Sequence, residues 1–291
     1  MAADGVVADG VAEALAPPSP QGGEGVTPRP ASGDRSRRDL VLVHGLGSAA
    51  SYWDNLLPAL ADRFTVHTPN LPGHGPAAGR VRADEAHPRD LARAVITGLE
   101  RDGVETPHLV GLSLGGWVVL EMAALGYGAS VVALAPAGLY RPGAMIRGEH
   151  KEALVHHLLG GLRPVLPALT RLGVVRQLGL RANVANAAAV THDQLAAAAV
   201  ALADARGFAV LDRAAVEHRF ESAAEVRVPV TVAFGDRDLV LPGPDCQERS
   251  LAPEQAEWVV VSNCGHAMTW DQPAACLELI DRTVARAATA P

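Results

Sequence analysis

Ser113 lies between two glycines, each two residues away, in residues 108–117 (HLVGLSLGGW). This stretch predicts a buried strand, a sharp turn centred on the serine, and an apolar helix. Such a turn accepts only small residues two positions before and after its centre, and Gly111 and Gly115 meet that requirement. The serine would lie at a helix N-terminus, where the helix dipole favours developing negative charge. These residues favour a nucleophilic serine over a turn with a purely structural role.

A serine hydroxyl becomes a strong nucleophile when a general base accepts its proton, and an acid must orient that base. We predict that His266 is the base, because it follows a late strand and the preceding glycine allows a tight loop. Two candidate acids, Asp236 and Asp238, follow the penultimate predicted strand. The spacing from Gly235 and to Pro242 favours Asp238. Asp236 remains the alternative.

The strand before residues 44–47 (HGLG) ends in flexible backbone whose N–H groups can face an oxyanion. We predict that the donors are the N–H groups of Leu46 and of Leu114, the residue after the serine. His44 is expected to brace this loop rather than to transfer protons. The predicted substrate pocket consists of residues beside these motifs, namely His44, Gly45, Trp117, Met268 and Trp270. Core packing is the alternative, and it is favoured for Trp117, on the first turn of a buried helix.

Composition argues against several other classes of function. The chain has 291 residues and a formal net charge of -7, so nucleic acid is not an expected partner. No apolar run approaches the roughly 18 residues of a membrane span. The sequence contains no glycine-rich phosphate loop and no spaced cluster of metal ligands. We therefore expect a soluble, cytoplasmic protein that acts on a small molecule without a metal or cofactor, and that does not engage a membrane.

The elements that must position these residues alternate along the chain from residue 39 onward. Six short apolar runs are typical of buried parallel strands, at residues 39–43, 64–68, 108–112, 131–135, 228–234 and 257–262. Helical patterns lie between them. Ser51 is expected to cap one helix in a capping-box arrangement with Asp54, and Pro273 is expected to begin the last helix. This alternation predicts an α/β fold with a mostly parallel central sheet flanked by helices.

Two segments depart from the alternation. Residues 1–38 are rich in Pro and Gly and poor in large apolar side chains, which predicts a disordered leader that is not a secretory signal. Residues 141–224 contain only helical patterns, at 152–159, 164–172, 193–204 and 209–219. We predict a helical lid over the carboxyl edge of the sheet, with a second small structural domain as the alternative. The core then comprises residues 39–140 and 225–291.

The order of the predicted serine, acid and base along the chain, with His44-Gly45 upstream, resembles the α/β-hydrolase superfamily. Residues 70–75 (NLPGHG) are similar to the loop that follows the second of these strands in that family. The resemblance covers residues 39–288. It implies a parallel sheet of about eight strands, one or two of them usually upstream of the His-Gly loop, and a helical lid after the sixth. The chain differs at Asn70, where the family commonly has Asp, and no convincing strand precedes residue 39.

The resemblance implies a serine hydrolase that cleaves an ester, thioester or lactone of a small apolar substrate. A carbon–carbon bond hydrolase, an acyltransferase or a lyase of the same superfamily would use the same groups. Trp270, four residues after His266, favours the carbon–carbon hydrolase, whereas Leu112 and the lack of Trp in 141–224 count against it. Dehalogenases and epoxide hydrolases use an Asp nucleophile, so Ser113 weakens both. A small-molecule binding module without catalysis is the alternative from another class.

Overall fold

The computed structural model describes residues 37–76, 79–141, 143–144 and 160–289. Almost all of the predicted leader therefore lies outside the described residues, as does the helix predicted over 152–159. Arg38, the last residue assigned to the leader, instead begins the first strand. Any strand upstream of residue 39 would also lie outside the described part, and the domain boundaries stay a prediction.

The described residues form six parallel strands. In chain order they are β1 (Arg38–Val43), β2 (Phe64–His67), β3 (His108–Leu112), β4 (Ser130–Leu134), β5 (Val230–Gly235) and β6 (Glu257–Val261). They lie in the order β2-β1-β3-β4-β5-β6 across one sheet, and every neighbouring pair is parallel. Each predicted strand is present, with its bounds shifted by at most two residues. The predicted α/β architecture is confirmed.

Helices flank the sheet and form one large insertion. The α-helices of the described residues are α1 (Leu57–Leu60), α2 (Pro88–Arg101), α3 (Leu114–Ala124), α4 (Leu166–Leu169), α5 (Gly173–Leu180), α6 (His192–Asp204), α7 (Phe208–Glu217), α8 (Met268–Asp271) and α9 (Pro273–Thr289). Helices α4 to α7 form the helical insertion between β4 and β5. The insertion follows β4, the fourth strand of the described residues. The family numbering that predicts a lid after the sixth strand counts two further strands upstream of β1.

The buried elements explain why the site forms at one edge of the sheet. Strands β3, β4 and β5 are buried along their whole length, as expected of parallel strands covered by crossover helices. Helix α3 is buried from its first residue through Ala123 and packs on β3 and β4. Because all six strands are parallel, the loops after β1, β3, β5 and β6 leave the same edge. These four loops carry the residues predicted to act together.

One local prediction is wrong. Ser51 does not cap a helix, because it lies inside a 3₁₀ turn at Ala50–Trp53 whose N-cap, Ala49, makes no side-chain capping bond. The N–H of Ala50 donates instead to Oδ1 of Asn70, at 2.9 Å. A side chain from the loop after β2 therefore holds the start of this turn, which no side chain of its own caps.

Among the described residues, no single helix is long and apolar enough to cross a bilayer. Helices α6 and α7 taken together are long and apolar enough for a span, but they are bent by 87° at the break between them.

Candidate active site

Ser113 lies between the end of β3 and the start of α3, in strained backbone geometry. Its φ is 55° and its ψ is -119°, in a region that residues other than glycine rarely adopt. Its N–H donates to the carbonyl of Leu134 at 2.9 Å, and its own carbonyl accepts the N–H of Trp117 at 3.1 Å. Its side chain makes no capping bond to the helix. The fold therefore holds the backbone of Ser113 on both sides and leaves the hydroxyl uncommitted to the helix terminus.

Backbone contacts explain the two glycines around Ser113. A Cβ on Gly111 would lie 2.1 Å from the carbonyl oxygen of Gly115. A Cβ on Gly115 would lie 2.2 Å from the carbonyl oxygen of Val43, at the end of β1. Non-bonded carbon and oxygen atoms do not approach so closely, so any side chain here would force main chain apart. Glycine is thus required because β1, β3 and α3 meet through their backbones.

His266 and Asp238 form a buried pair on the loops after β6 and β5. Nδ1 of His266 lies 2.8 Å from Oδ2 of Asp238. The other carboxylate oxygen accepts the N–H groups of Val240 and Leu241, each at 2.8 Å. Burial alone would raise the pKa of Asp238, but His266 and these hydrogen bonds together hold it below its ordinary value. The ionised carboxylate orients the ring through Nδ1, so Nε2 is not used in this pair.

The alternative acid, Asp236, has a different partner. Its side chain is exposed, and its Oδ1 accepts the N–H of Cys264 at 3.1 Å. This hydrogen bond is the main cause of the lowered pKa of Asp236. A Cβ on Gly235 would lie 2.1 Å from the carbonyl oxygen of Cys264, so the two loops touch through their backbones. Of the two acids, Asp238 is the one that contacts His266. Asp236 instead binds the backbone of the loop that carries His266.

The loop after β1 passes beside Ser113. A Cβ on Gly45 would lie 3.1 Å from Cβ of Ser113 and 3.8 Å from its Oγ. Leu114 is the first residue of α3, where an N–H group has no partner inside the helix. Within the described residues, no acceptor takes the backbone N–H of Leu46. The two predicted oxyanion donors follow Ser113 and Gly45 in sequence, and no acceptor among the described residues takes either N–H group.

Two buried histidines brace this loop. Nε2 of His44 accepts the N–H of Leu71 at 3.1 Å, and its Nδ1 lies 2.8 Å from the carbonyl oxygen of Gly45. Burial, reinforced by the neighbouring His74 ring, lowers the pKa of His44 to about 3, so this ring is neutral with its proton on Nδ1. Nε2 of His74 accepts the N–H of Gly47 at 2.9 Å. The loops after β1 and β2 are thus joined through imidazole rings.

The sequence matches the alpha/beta hydrolase family over residues 40–279. The chain belongs to this family. The pimeloyl-[acyl-carrier protein] methyl ester esterase of Aromatoleum aromaticum is 30% identical over 271 residues, which cover 86% of this chain and 99% of that enzyme.

Solved structures share the fold. A candidate lipase from Acinetobacter baumannii matches with a TM-score of 0.70 at 18% identity, covering 88% of this chain and 86% of the other. A thermophilic esterase from Thermogutta terrifontis matches with a TM-score of 0.63 at 17% identity, covering 87% and 91%. At such identities these structures establish the fold alone.

The remaining predicted pocket residues of this alpha/beta hydrolase differ in exposure. Trp117 is fully buried and donates its indole N–H to Oε1 of Glu121 at 3.1 Å, so it is part of the core. Met268 is also fully buried, at the start of α8. Trp270 is partly exposed, and its ring centroid lies 5.4 Å from that of Tyr52. Among the described residues, no three His, Cys, Asp or Glu side chains could together hold a metal ion.

Reasoning from sequence missed Asp271, which joins the His266 loop of this alpha/beta hydrolase to the helical insertion. Its Oδ2 accepts the N–H groups of Gly265 and Ala185, each at 2.7 Å. Its Oδ1 accepts the N–H of Asn186 at 3.0 Å. The available sequence signal is its position, five residues after His266 and shortly before the start of the last helix. Nothing in that local pattern identifies partners in a distant segment.

Proposed function

We propose that this protein is a serine hydrolase that cleaves an ester-like bond of a small, mainly apolar substrate. The observation that carries the proposal is the strained Ser113, at the same sheet edge as the buried His266–Asp238 pair. A residue other than glycine in such a conformation costs about 1–3 kcal/mol, and such strain clusters at functional sites. Membership of the alpha/beta hydrolase family and an esterase relative support the proposal.

The first half of the proposed reaction acylates the serine. Oγ of Ser113 attacks the carbonyl carbon of the substrate while Nε2 of His266 accepts the hydroxyl proton. The oxyanion that forms accepts hydrogen bonds from the N–H groups of Leu46 and Leu114, at the positive end of α3. His266 then gives its proton to the leaving oxygen, the carbon–oxygen bond breaks, and the alcohol departs from an acyl-serine.

The second half releases the acid. Water attacks the acyl carbon, with His266 again accepting a proton, and the same two N–H groups stabilise the second oxyanion. The bond to Oγ of Ser113 breaks, and the serine regains its proton from His266. Asp238 keeps the histidine in the required tautomer throughout and stabilises the imidazolium that forms in each half.

The relatives and the helical insertion support the proposed substrate class. The relative from Aromatoleum aromaticum acts on a methyl ester, so methyl esters of carboxylic acids are the first substrates to compare with thioesters and lactones. The side chains of the helical insertion are mostly apolar, which favours an apolar acyl group. We therefore expect methyl and p-nitrophenyl esters of short to medium acyl chains to be hydrolysed.

Covalent labelling tests the nucleophile. A fluorophosphonate should label the wild-type protein on Ser113, and a Ser113→Ala variant should lose both labelling and ester hydrolysis. Ser250→Ala is the matched control, because the hydroxyl of Ser250 is exposed and bonds to Glu248. No label on the folded wild-type protein would contradict the proposal and favour a binding module without catalysis. Labelling without hydrolysis of any ester, thioester or lactone would instead favour carbon–carbon bond cleavage, acyl transfer or lyase chemistry.

A further inference from the structure

Large apolar side chains are exposed on the first part of the helical insertion. In the described part of the chain, seven large hydrophobic side chains are at least 45% exposed. Five of them lie within 17 consecutive residues and are called the lid patch, namely Leu162, Val165, Leu172, Val174 and Leu178. Large apolar side chains exposed in a cluster, rather than singly, often mark an interaction site. The other two lie elsewhere in the chain, at Leu239 and Val260.

Helix α5 shows that this exposure is directional. Val174 and Leu178 are four residues apart and share one face, and they are 63% and 67% exposed. Leu180, on a different face of the same helix, is only 1% exposed and packs into the core. Arg181 follows the helix seven residues after Val174, on the exposed face. Leu180 therefore anchors the helix to the core. The opposite side exposes Val174 and Leu178 to solvent, with Arg181 at its C-terminal end.

The segment around the lid patch carries charge of one sign. Residues 160–192 contain four arginines and neither Asp nor Glu, although the whole chain has a formal net charge of -7. Within the described residues, Arg163 is the one of the four with a carboxylate partner. Arg171 and Arg181 are both exposed at the ends of α5. The apolar side chains are thus flanked by positive charges with no carboxylate partner in the described part.

We propose that the lid patch binds the surface of an anionic lipid bilayer. The apolar side chains would enter the boundary between headgroups and acyl chains, while Arg171 and Arg181 contact lipid phosphates. Amphipathic segments with apolar and basic side chains bind membrane interfaces without crossing them. Nε of Arg171 donates to Nε2 of His192 at 3.1 Å, which leaves its charge without a counterion. Charge complementarity selects this occupant, since an apolar protein surface would leave both arginine charges without a counterion, whereas an anionic leaflet attracts them. Contact with a membrane surface was not expected from composition, and this binding does not depend on the proposed hydrolase activity.

Co-sedimentation of the full chain with vesicles tests the proposal. We expect at least about tenfold tighter binding to vesicles containing phosphatidylglycerol than to phosphatidylcholine alone, with the difference reduced by salt. The paired variants V174S/L178S and R171E/R181E should each weaken binding to the anionic vesicles about tenfold or more. Two controls should bind like the wild type, namely Val260→Ser, which replaces an exposed apolar side chain on β6, and Arg80→Glu, which reverses an exposed charge.

Two results would overturn the proposal. The wild type could fail to bind either vesicle, or the paired variants could bind as tightly as the wild type. A dimer that V174S/L178S dissociates, with no vesicle binding by the wild type, would assign the lid patch to contact between two copies instead. Circular dichroism and thermal melting establish that each variant is folded, which is expected because the substituted side chains are exposed.

Discussion

Oδ2 of Asp271 accepts the backbone N–H of Gly265 at 2.7 Å, one residue before His266. The same carboxylate also accepts two N–H groups of the helical insertion, from Ala185 and Asn186. The backbones themselves are in contact, because a Cβ on Gly265 would lie 2.8 Å from the carbonyl oxygen of Asn183. The insertion therefore shares in positioning the loop that carries His266, through three hydrogen bonds to one charged group.

Replacing Asp271 by Asn should impair turnover more than substrate binding. One carboxylate oxygen becomes an NH₂ group that faces N–H donors, so we expect a loss of about 1–3 kcal/mol in the free energy of unfolding. Displacement of the His266 loop should lower kcat about 10- to 100-fold with a smaller change in KM. Steady-state ester hydrolysis and urea denaturation measure both effects. Asp281→Asn is the control, since this exposed side chain pairs with Arg63 on the surface. Unchanged kcat in a folded Asp271→Asn variant would show that His266 needs no such support.

The two acids after β5 provide a matched pair. Asp238→Asn removes the carboxylate that orients His266, so kcat/KM for ester hydrolysis should fall about 10³- to 10⁴-fold. Asp236→Asn weakens a loop contact to Cys264 and should lower kcat/KM less than about tenfold. The measurement is hydrolysis of one ester by both purified variants at equal concentration. Equal losses, or a greater loss in Asp236→Asn, would contradict the assignment of Asp238 as the acid.

Two Gly→Ala substitutions should have opposite effects on stability. In Gly115→Ala, the new Cβ would lie 2.2 Å from a carbonyl oxygen of Val43, so we expect a loss of about 3 kcal/mol or more, or failure to fold. Gly98 lies inside α2 with nothing within 4 Å of an added Cβ. There, Ala should raise the free energy of unfolding by about 0.5–1 kcal/mol, because glycine is a poor helix former. Chemical denaturation of both variants tests this, and a Gly115→Ala variant as stable as the wild type would refute the close packing of the turn.

Burial of His44 predicts sensitivity to acid. Burial lowers the pKa of His44 from 6.5 to about 3 in the folded protein. Between these two pH values the His44 ring is protonated in the unfolded chain and neutral in the folded protein. The free energy of unfolding should therefore fall as the pH drops from 6.5 to 3, by about 1.4 kcal/mol per pH unit from this group. His108, whose pKa burial lowers to about 4, adds to the wild-type effect.

A His44→Asn variant isolates that contribution. It should be less stable than the wild type at pH 7, because the N–H of Leu71 loses its acceptor. Its stability should nevertheless depend less steeply on pH, by about one proton, between 6.5 and 3. Denaturant unfolding at a series of pH values provides the slopes. Identical slopes for the variant and the wild type would show that His44 does not resist protonation in the folded state.

Local sequence patterns predicted the parts of this molecule whose physical cause is itself local. Continuous apolar runs predicted six buried parallel strands to within two residues of their observed bounds. Small residues on both sides of Ser113 predicted the sharp turn, because the constraint acts within a few residues of the serine. The segments without strand patterns also indicated where the helical insertion interrupts the sheet.

Other features depended on residues far apart in the chain. Local spacing left Asp236 and Asp238 as competing acids, and the packing of β5 against β6 brings Asp238 to His266. Asn70 accepts the N–H of Ala50 at the turn where Ser51 was expected to be the cap, and Asp271 accepts backbone N–H groups of the insertion. Sequence by itself therefore determined the strands, the turn and the candidate groups. Only the tertiary structure decided their partners. A hydrogen bond depends on the positions of both groups in space, whereas a local sequence pattern describes the segment that carries one of the two groups.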